Sequence, residues 1–295
     1  MAEGPYTPPH VSALPSIPPI AQDARANSTQ ELARSGWFLK VRVGVLLLVL
    51  ASVSAWGVWD AHVRKARTAW RRPLQVAFVL VQQGAVPEPA VQALKARIAT
   101  LESHLANEMR RYRSEPSVPF RISVFGPAPA PAKLPDPEQQ DVFDLLRFNY
   151  DLWRFAYGVD AALDIESSRF DSRVYLILRE AANRDRNFVE GFSQSGGRLG
   201  VVSVELDTSM VDFGLFVATH ELLHTLGASD KYTADGVAMV PQGLAEPWKV
   251  PLYPQRYAEV MARHVPLSST EDVPPGSLDE LAIGLYTAQE IGWLR

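Results

Sequence analysis

Cysteine is absent from this chain of 295 residues. That excludes a disulfide framework, a thiolate nucleophile, Cys-ligated zinc and iron–sulfur clusters. Any metal has to be held by His, Asp or Glu. Histidine is scarce too, with six in all, so candidate metal sites can be enumerated. Neither sign of charge dominates: the net charge is −4. The basic footprint of a nucleic-acid binder is therefore missing, which argues against nucleic acid as a partner. With 47% hydrophobic and 21% charged residues the chain has globular composition, which excludes wholesale disorder.

Against this background one uncharged run stands out. Residues 43–59 carry no charge, and residues 37–39 extend the run toward the N-terminus. Over residues 37–60 it is long enough to cross a hydrocarbon core of ~30 Å. Lys40 and Arg42 can snorkel to headgroups, and Trp37, Trp56 and Trp59 sit where interfacial aromatics belong. We read it as a single-pass transmembrane anchor, preceded by a disordered Pro-rich tail (residues 1–36) and followed by a basic juxtamembrane segment (residues 61–72). A cleaved signal peptide and a buried core helix are the alternatives. The long segment before the run counts against the first, and its uniformly apolar, Trp-flanked character against the second. Orientation stays open. Arg25, Arg34, Lys40 and Arg42 flank one side, and Arg64, Lys65, Arg67, Arg71 and Arg72 the other. The balance leans only slightly toward a cytoplasmic C-terminal part.

From residue 73 the chain alternates strands and helices. Residues 76–81 form a continuous β-branched run, expected as a buried strand. Residues 89–113 place Val91, Leu94, Ile98, Leu101, Leu105, Met109 and Tyr112 on one helical stripe. Residues 120–125 alternate as a second strand, and prolines from Pro127 to Pro137 predict an extended loop. Residues 141–163 return to helix, with Phe143, Leu146, Tyr150, Trp153 and Tyr157 as the expected core stripe. Strands are expected over residues 173–178, 188–194 and 199–206. The order makes an α/β or α+β domain with a mixed sheet.

The stretch that carries chemistry follows. Ser209 with Asp212 reads as a capping box opening a helix that runs to Leu226 and stops at Gly227. Inside it lies His220-Glu221-Leu222-Leu223-His224. Residues i and i+4 share a helix face, so two imidazoles placed this way can bind one Zn²⁺. Glu221 projects toward the same cleft, placed to take a proton from an activated water. Gly227 allows a sharp turn, and Asp230 follows His220 by ten positions. The two-histidine pair alone does not choose a third ligand. Asp230, a downstream Glu246 or Glu259, and His264 are the candidates, while His10, His62 and His104 lie in unpromising contexts.

HELLHTLGASD resembles the zincin metallopeptidases, specifically metzincin-like ones in which Asp stands third, as in snapalysins. The resemblance implies a zincin-like fold: a mixed twisted sheet over the active-site helix, then a small C-terminal subdomain, all within residues 73–295. It implies a zinc metalloendopeptidase with His220, His224 and Asp230 on Zn²⁺, Gly227 at the turn and Glu221 as general base. It also implies a Met-turn at Met261, in a leishmanolysin-like C-terminal arrangement, with Met239 as the alternative. A Tyr can stabilise an oxyanion in such relatives. Tyr232 and Tyr257 are the candidates, but Arg263 stands where the usual spacing from Met261 would put that Tyr. The substrate would be a peptide or protein bound by β-addition to the edge strand at residues 188–194. Relatives of this kind are mostly secreted, which favours an extracytoplasmic domain over the lean of the flanking charges. The competing reading is a catalytically inactive, metal-stabilised binding module in a membrane assembly.

Overall fold

The computed structural model describes residues 23–131, 134, 142–180, 189–193 and 197–294. It divides into two units, Met1–Asp60 and Ala61–Arg295. A long helix, α1 (Asp23–Arg67), begins inside the segment expected as tail. Its stretch Trp37–Arg67 is long and apolar enough to cross a membrane, and none of its apolar window is buried. Leu46, Leu48, Leu50 and Val58 are all exposed, the pattern of a helix apolar all round rather than one with a single core-facing stripe.

The second unit is built on a five-stranded sheet. In chain order it comprises β1 (Leu74–Gln83), α2 (Glu88–Arg110), β2 (Phe120–Pro129), α3 (Val142–Ala162), β3 (Ser172–Arg179), β4 (Val189–Ser193), β5 (Leu199–Glu205) and α4 (Val211–Thr225). The strand order is β2-β1-β3-β5-β4. The first four strands are parallel, and β4 pairs antiparallel with β5. After β2 the chain reverses its direction of travel across the sheet. Right-handed crossovers then put α2 and α3 on opposite faces.

Helices on both faces explain why β1 is a continuous apolar run and not an alternating one. Val76, Phe78 and Leu80 pack with Leu94, Leu101 and Leu105 of α2 and with Leu215 and Leu222 of α4. Ala77, Val79 and Val81 point the other way, onto Leu152, Phe155, Ala156 and Val159 of α3. Truncating a side chain such as Phe78 to Ala would cost about 3–5 kcal/mol. β2 is an edge strand, which is why it can run on through Pro127 and Pro129.

After α4 come short elements: β6 (Ala258–Glu259), β7 (Val265–Pro266), β8 (Asp272–Val273), β9 (Leu281–Ala282) and α5 (Leu285–Glu290). They pack against α2, whose Glu108 accepts from the Ile283 N–H at 2.7 Å and whose Tyr112 donates to the Ile283 carbonyl at 2.6 Å. The end of α1 is also built into this unit. Arg67 is buried and donates to the carbonyls of Asp171 and Gly197, and the indole of buried Trp70 donates to the Ile291 carbonyl at 2.6 Å.

Two expectations are corrected. The aromatic stripe of α3 is not core: Phe143, Leu146, Tyr150, Trp153 and Tyr157 are all exposed. The helix has two apolar faces, and the one with Leu152, Phe155, Ala156 and Val159 is the one that packs on the sheet. The capping box also fails. Asp207 Oδ1 accepts from the Ser209 and Met210 N–H groups in an Asx-type turn. Asp212 is engaged instead by Arg97 of α2, at 2.5 Å, and by the Leu278 N–H.

Candidate metal centre

Helix α4 is buried along most of its length, so the side chains of its central turns are held by packing on every side. His220 is 2% exposed and Glu221 3%. The imidazoles of His220 and His224 stand perpendicular, with centroids 4.6 Å apart. Each ring is oriented by a main-chain carbonyl: Nδ1 of His220 lies 2.9 Å from the Val260 oxygen, and Nδ1 of His224 lies 2.8 Å from the Ala228 oxygen. A carbonyl only accepts, so each Nδ1 carries a proton, and in the neutral imidazole each Nε2 then presents a lone pair.

Those lone pairs converge. The two Nε2 atoms are 3.0 Å apart, and Asp230 Oδ1 lies 3.2 Å from both. Ligand atoms at ~2.0–2.2 Å from a tetrahedral Zn²⁺ are separated by about 3.3–3.6 Å. The triangle is therefore slightly contracted but of the right size, and the donor set of two imidazoles and one carboxylate suits zinc. Glu221 Oε1 sits 4.0 Å from His220 Nε2, beside the triangle. His220, Glu221 and His224 form a group that can hold a metal ion.

Burial alone would raise the pKa of Asp230, but its contacts with His220 and His224, which become hydrogen bonds when an imidazole is protonated, outweigh it and hold the carboxyl well below the usual carboxylate range. Burial opposes the charged form of His224, yet the Asp230 hydrogen bond and the Glu221 carboxylate outweigh that and raise its pKa. Burial, then the Asp230 charge, raises the pKa of Tyr232. The Tyr232 ring stacks near His220, with centroids 6.4 Å apart, under the Arg263 guanidinium.

The loop that delivers Asp230 follows from its sequence. Gly227 adopts φ +98°, the left-handed conformation that ends helices, and the Ala228 N–H returns to the Leu223 carbonyl at 3.1 Å. Both residues beside Asp230 are then fastened. Lys231, 3% exposed, donates through Nζ to the Ser229 carbonyl and hydroxyl and to Glu290 of α5, at 3.0, 2.7 and 2.7 Å. Glu290 also accepts from the Ser229 N–H and hydroxyl. The Lys231 N–H donates to the Met261 carbonyl at 2.9 Å.

The turn Val260–Ala262 beneath His220 contains Met261, fully buried, and supplies the carbonyl that orients the ring. Met239 is only partly buried, and its N–H bonds the Lys231 carbonyl. Glu259, a candidate ligand by sequence, is engaged elsewhere. It is buried, and its carboxylate accepts from the N–H groups of Met261, Ala262 and Gly284 and from the Thr287 hydroxyl. Glu246 pairs with Arg256, His264 with Asp272, and His104 with the Leu281 carbonyl. Tyr257 lies under Arg256. His10 lies outside the described residues. Sequence reasoning missed Ser229, Lys231 and Glu290, because Glu290 is sixty residues from Asp230 and no spacing links them.

No protein-family model and no curated protein matches the chain. Among solved structures, an archaemetzincin from Methanopyrus kandleri is similar at 18% identity and a TM-score of 0.32, over 66% of this chain and 88% of that one. A chaperone–substrate complex is similar at 12% identity and a TM-score of 0.27, over 76% of this chain but only 36% of that one. Both likenesses are slight, and the chemistry open to this chain is set by the residues of its own site.

Proposed function

We propose that the protein is a membrane-anchored zinc metalloendopeptidase. One observation carries the reading: three ligand atoms, the Nε2 atoms of His220 and His224 and Oδ1 of Asp230, converge on one point with the Glu221 carboxylate beside them. A purely structural metal site needs the ligands and not the extra buried carboxylate. When bound, Zn²⁺ supplies Lewis acidity, which acidifies water and polarises a carbonyl.

The rest is the work of the chain's own residues. Glu221 takes the proton of the attacking water on its carboxylate and passes it to the leaving amine nitrogen. The Val260 and Ala228 carbonyls keep both rings in the ligating tautomer. Met261 serves as the Met-turn residue under His220, and Tyr232, whose ring stacks near His220, is the hydroxyl we assign to a developing oxyanion. β4 ends the sheet as an antiparallel edge strand, and an extended peptide adds to it through main-chain hydrogen bonds. The substrate is thus a peptide or protein segment in extended conformation.

Glu221→Gln tests the reading. The purified full-length chain should bind close to one zinc in both forms, while cleavage of a quenched-fluorescent peptide library falls by about 10²-fold or more in the variant. If zinc is retained but both forms leave every peptide intact, the protein is a binding module and not an enzyme. Less than about 0.2 zinc per chain after mild purification would reject the metal site itself.

A further inference from the structure

Helix α3 carries a surface that the metal centre does not use. Leu146, Tyr150, Trp153 and Tyr157 line one face of it at spacings of three and four. Trp153 is 57% exposed and Tyr157 65%. Tyr150, Trp153 and Tyr157 form a ladder, with ring centroids 6.3 and 5.7 Å apart and planes inclined by 33° and 21°. The opposite face, with Leu152, Phe155, Ala156 and Val159, is buried on the sheet. A helix with a satisfied inner face and a second, aromatic outer face needs another apolar environment.

Three features select that environment. The stripe is made of Tyr and Trp with Leu, side chains whose apolar rings and polar edges suit the headgroup–acyl boundary. Arg147 and Arg154, seven residues apart and so on one line of the helix, run along its border and are exposed; Arg147 makes only a loose contact with Asp151, at 4.0 Å, so both guanidinium groups can reach anionic headgroups. The same chain carries a helix able to cross a membrane, and only short sequence separates it from β1. A tether of that kind gives the domain a high effective concentration at the bilayer. We propose that α3 is a lipid-surface contact: its aromatic stripe enters the interface of the anchoring membrane and the two arginines meet anionic headgroups. The proposal rests on the membrane span and is independent of the zinc chemistry.

The absence of cysteine makes the test clean. Single-cysteine variants Tyr150→Cys, Tyr157→Cys, Val53→Cys and Ser103→Cys of the full-length chain are labelled with an environment-sensitive fluorophore. They are then reconstituted into liposomes of phosphatidylcholine and phosphatidylglycerol. Val53 reports the span, and Ser103, exposed on α2, is the control. Labels at 150 and 157 should blue-shift and be quenched by lipids spin-labelled near the headgroup, while the label at 103 is not. Adding Arg147→Ser or Arg154→Ser should lower the docked-to-free ratio about fivefold each. Quenching at 53 with none at 150 or 157 overturns the proposal and leaves the span standing. Energy transfer between α3 labels on separate copies in detergent, without lipid, overturns it in favour of a second copy of the chain.

Discussion

Replacing Glu290 by Gln should loosen the metal centre without touching a ligand. Glu290 closes a ring around Asp230: it accepts from Ser229 on one side and from Lys231 on the other, at 2.7–2.9 Å. Removing one partner of a buried ion pair costs about 3–5 kcal/mol, because the other charge is left uncompensated. The Lys231 side chain is 4% exposed, but that of Glu290 is 34%, and Lys231 keeps its bonds to Ser229. Solvent screening at Glu290 reduces the expected loss of stability to about 2 kcal/mol. A loop freed by that amount should bind zinc about 10–100-fold more weakly, the usual effect of losing a group that supports a ligand. The assay is chelator-competition titration with denaturant unfolding, on the wild type, Glu290→Gln, Lys231→Met and the double variant. The double variant removes both charges, so the cycle should show a coupling of about 1 kcal/mol or more in stability and in zinc binding. Additivity within about 0.5 kcal/mol, with zinc affinity unchanged in Glu290→Gln, would refute the idea that this pair positions Asp230.

Glu259 should impose a pH dependence on stability. Burial pushes its pKa from 4.5 up to about 7, against the hydrogen bonds it accepts from Thr287 and the main chain. The folded state then holds the proton more tightly than the unfolded chain. Its contribution is full below about pH 4.5 and is lost as pH rises through 7, a change of about 3 kcal/mol. Denaturant melts of metal-free wild type should show this slope, and Glu259→Gln should flatten it; identical slopes count against the assignment. A methyl group at Gly243 would lie 2.3 Å from the Lys231 carbonyl and 2.9 Å from the Met239 nitrogen. Gly243→Ala should therefore shift the loop carrying Asp230 and weaken zinc binding about tenfold or more, and an unchanged titration would show that the loop yields elsewhere. Gly227→Ala forces a side chain into φ +98° and should cost about 1–2 kcal/mol in thermal or denaturant melts.

How much of this was legible in the sequence depended on the range of the interaction. Strands buried on both faces announce themselves as apolar runs, and a histidine pair one turn apart is a local pattern, so β1, β3 and the centre of α4 could be read directly. The face of α3 could not. Periodicity finds an apolar stripe but does not say which of two stripes the sheet accepts, and the larger aromatic one was left outside. Asp212 failed as a cap for a related reason, since the Arg97 that claims it is 115 residues away. The supports of Asp230 were invisible likewise, because Glu290 belongs to a C-terminal helix that only the fold brings alongside.

The two imidazoles are steered by the oxygens of Val260 and Ala228, atoms every residue possesses. No side-chain replacement at either position deletes the acceptor. Sites that rely on a neighbouring carboxylate for this purpose can lose it in one codon change; this one can lose it only if the backbone moves. Damage to metal binding outside the ligands themselves should therefore concentrate at residues that fix backbone position, such as Gly227, Gly243, Glu259 and Glu290, and a deep mutational scan for zinc retention would find Val260 and Ala228 tolerant wherever the substituted side chain still packs.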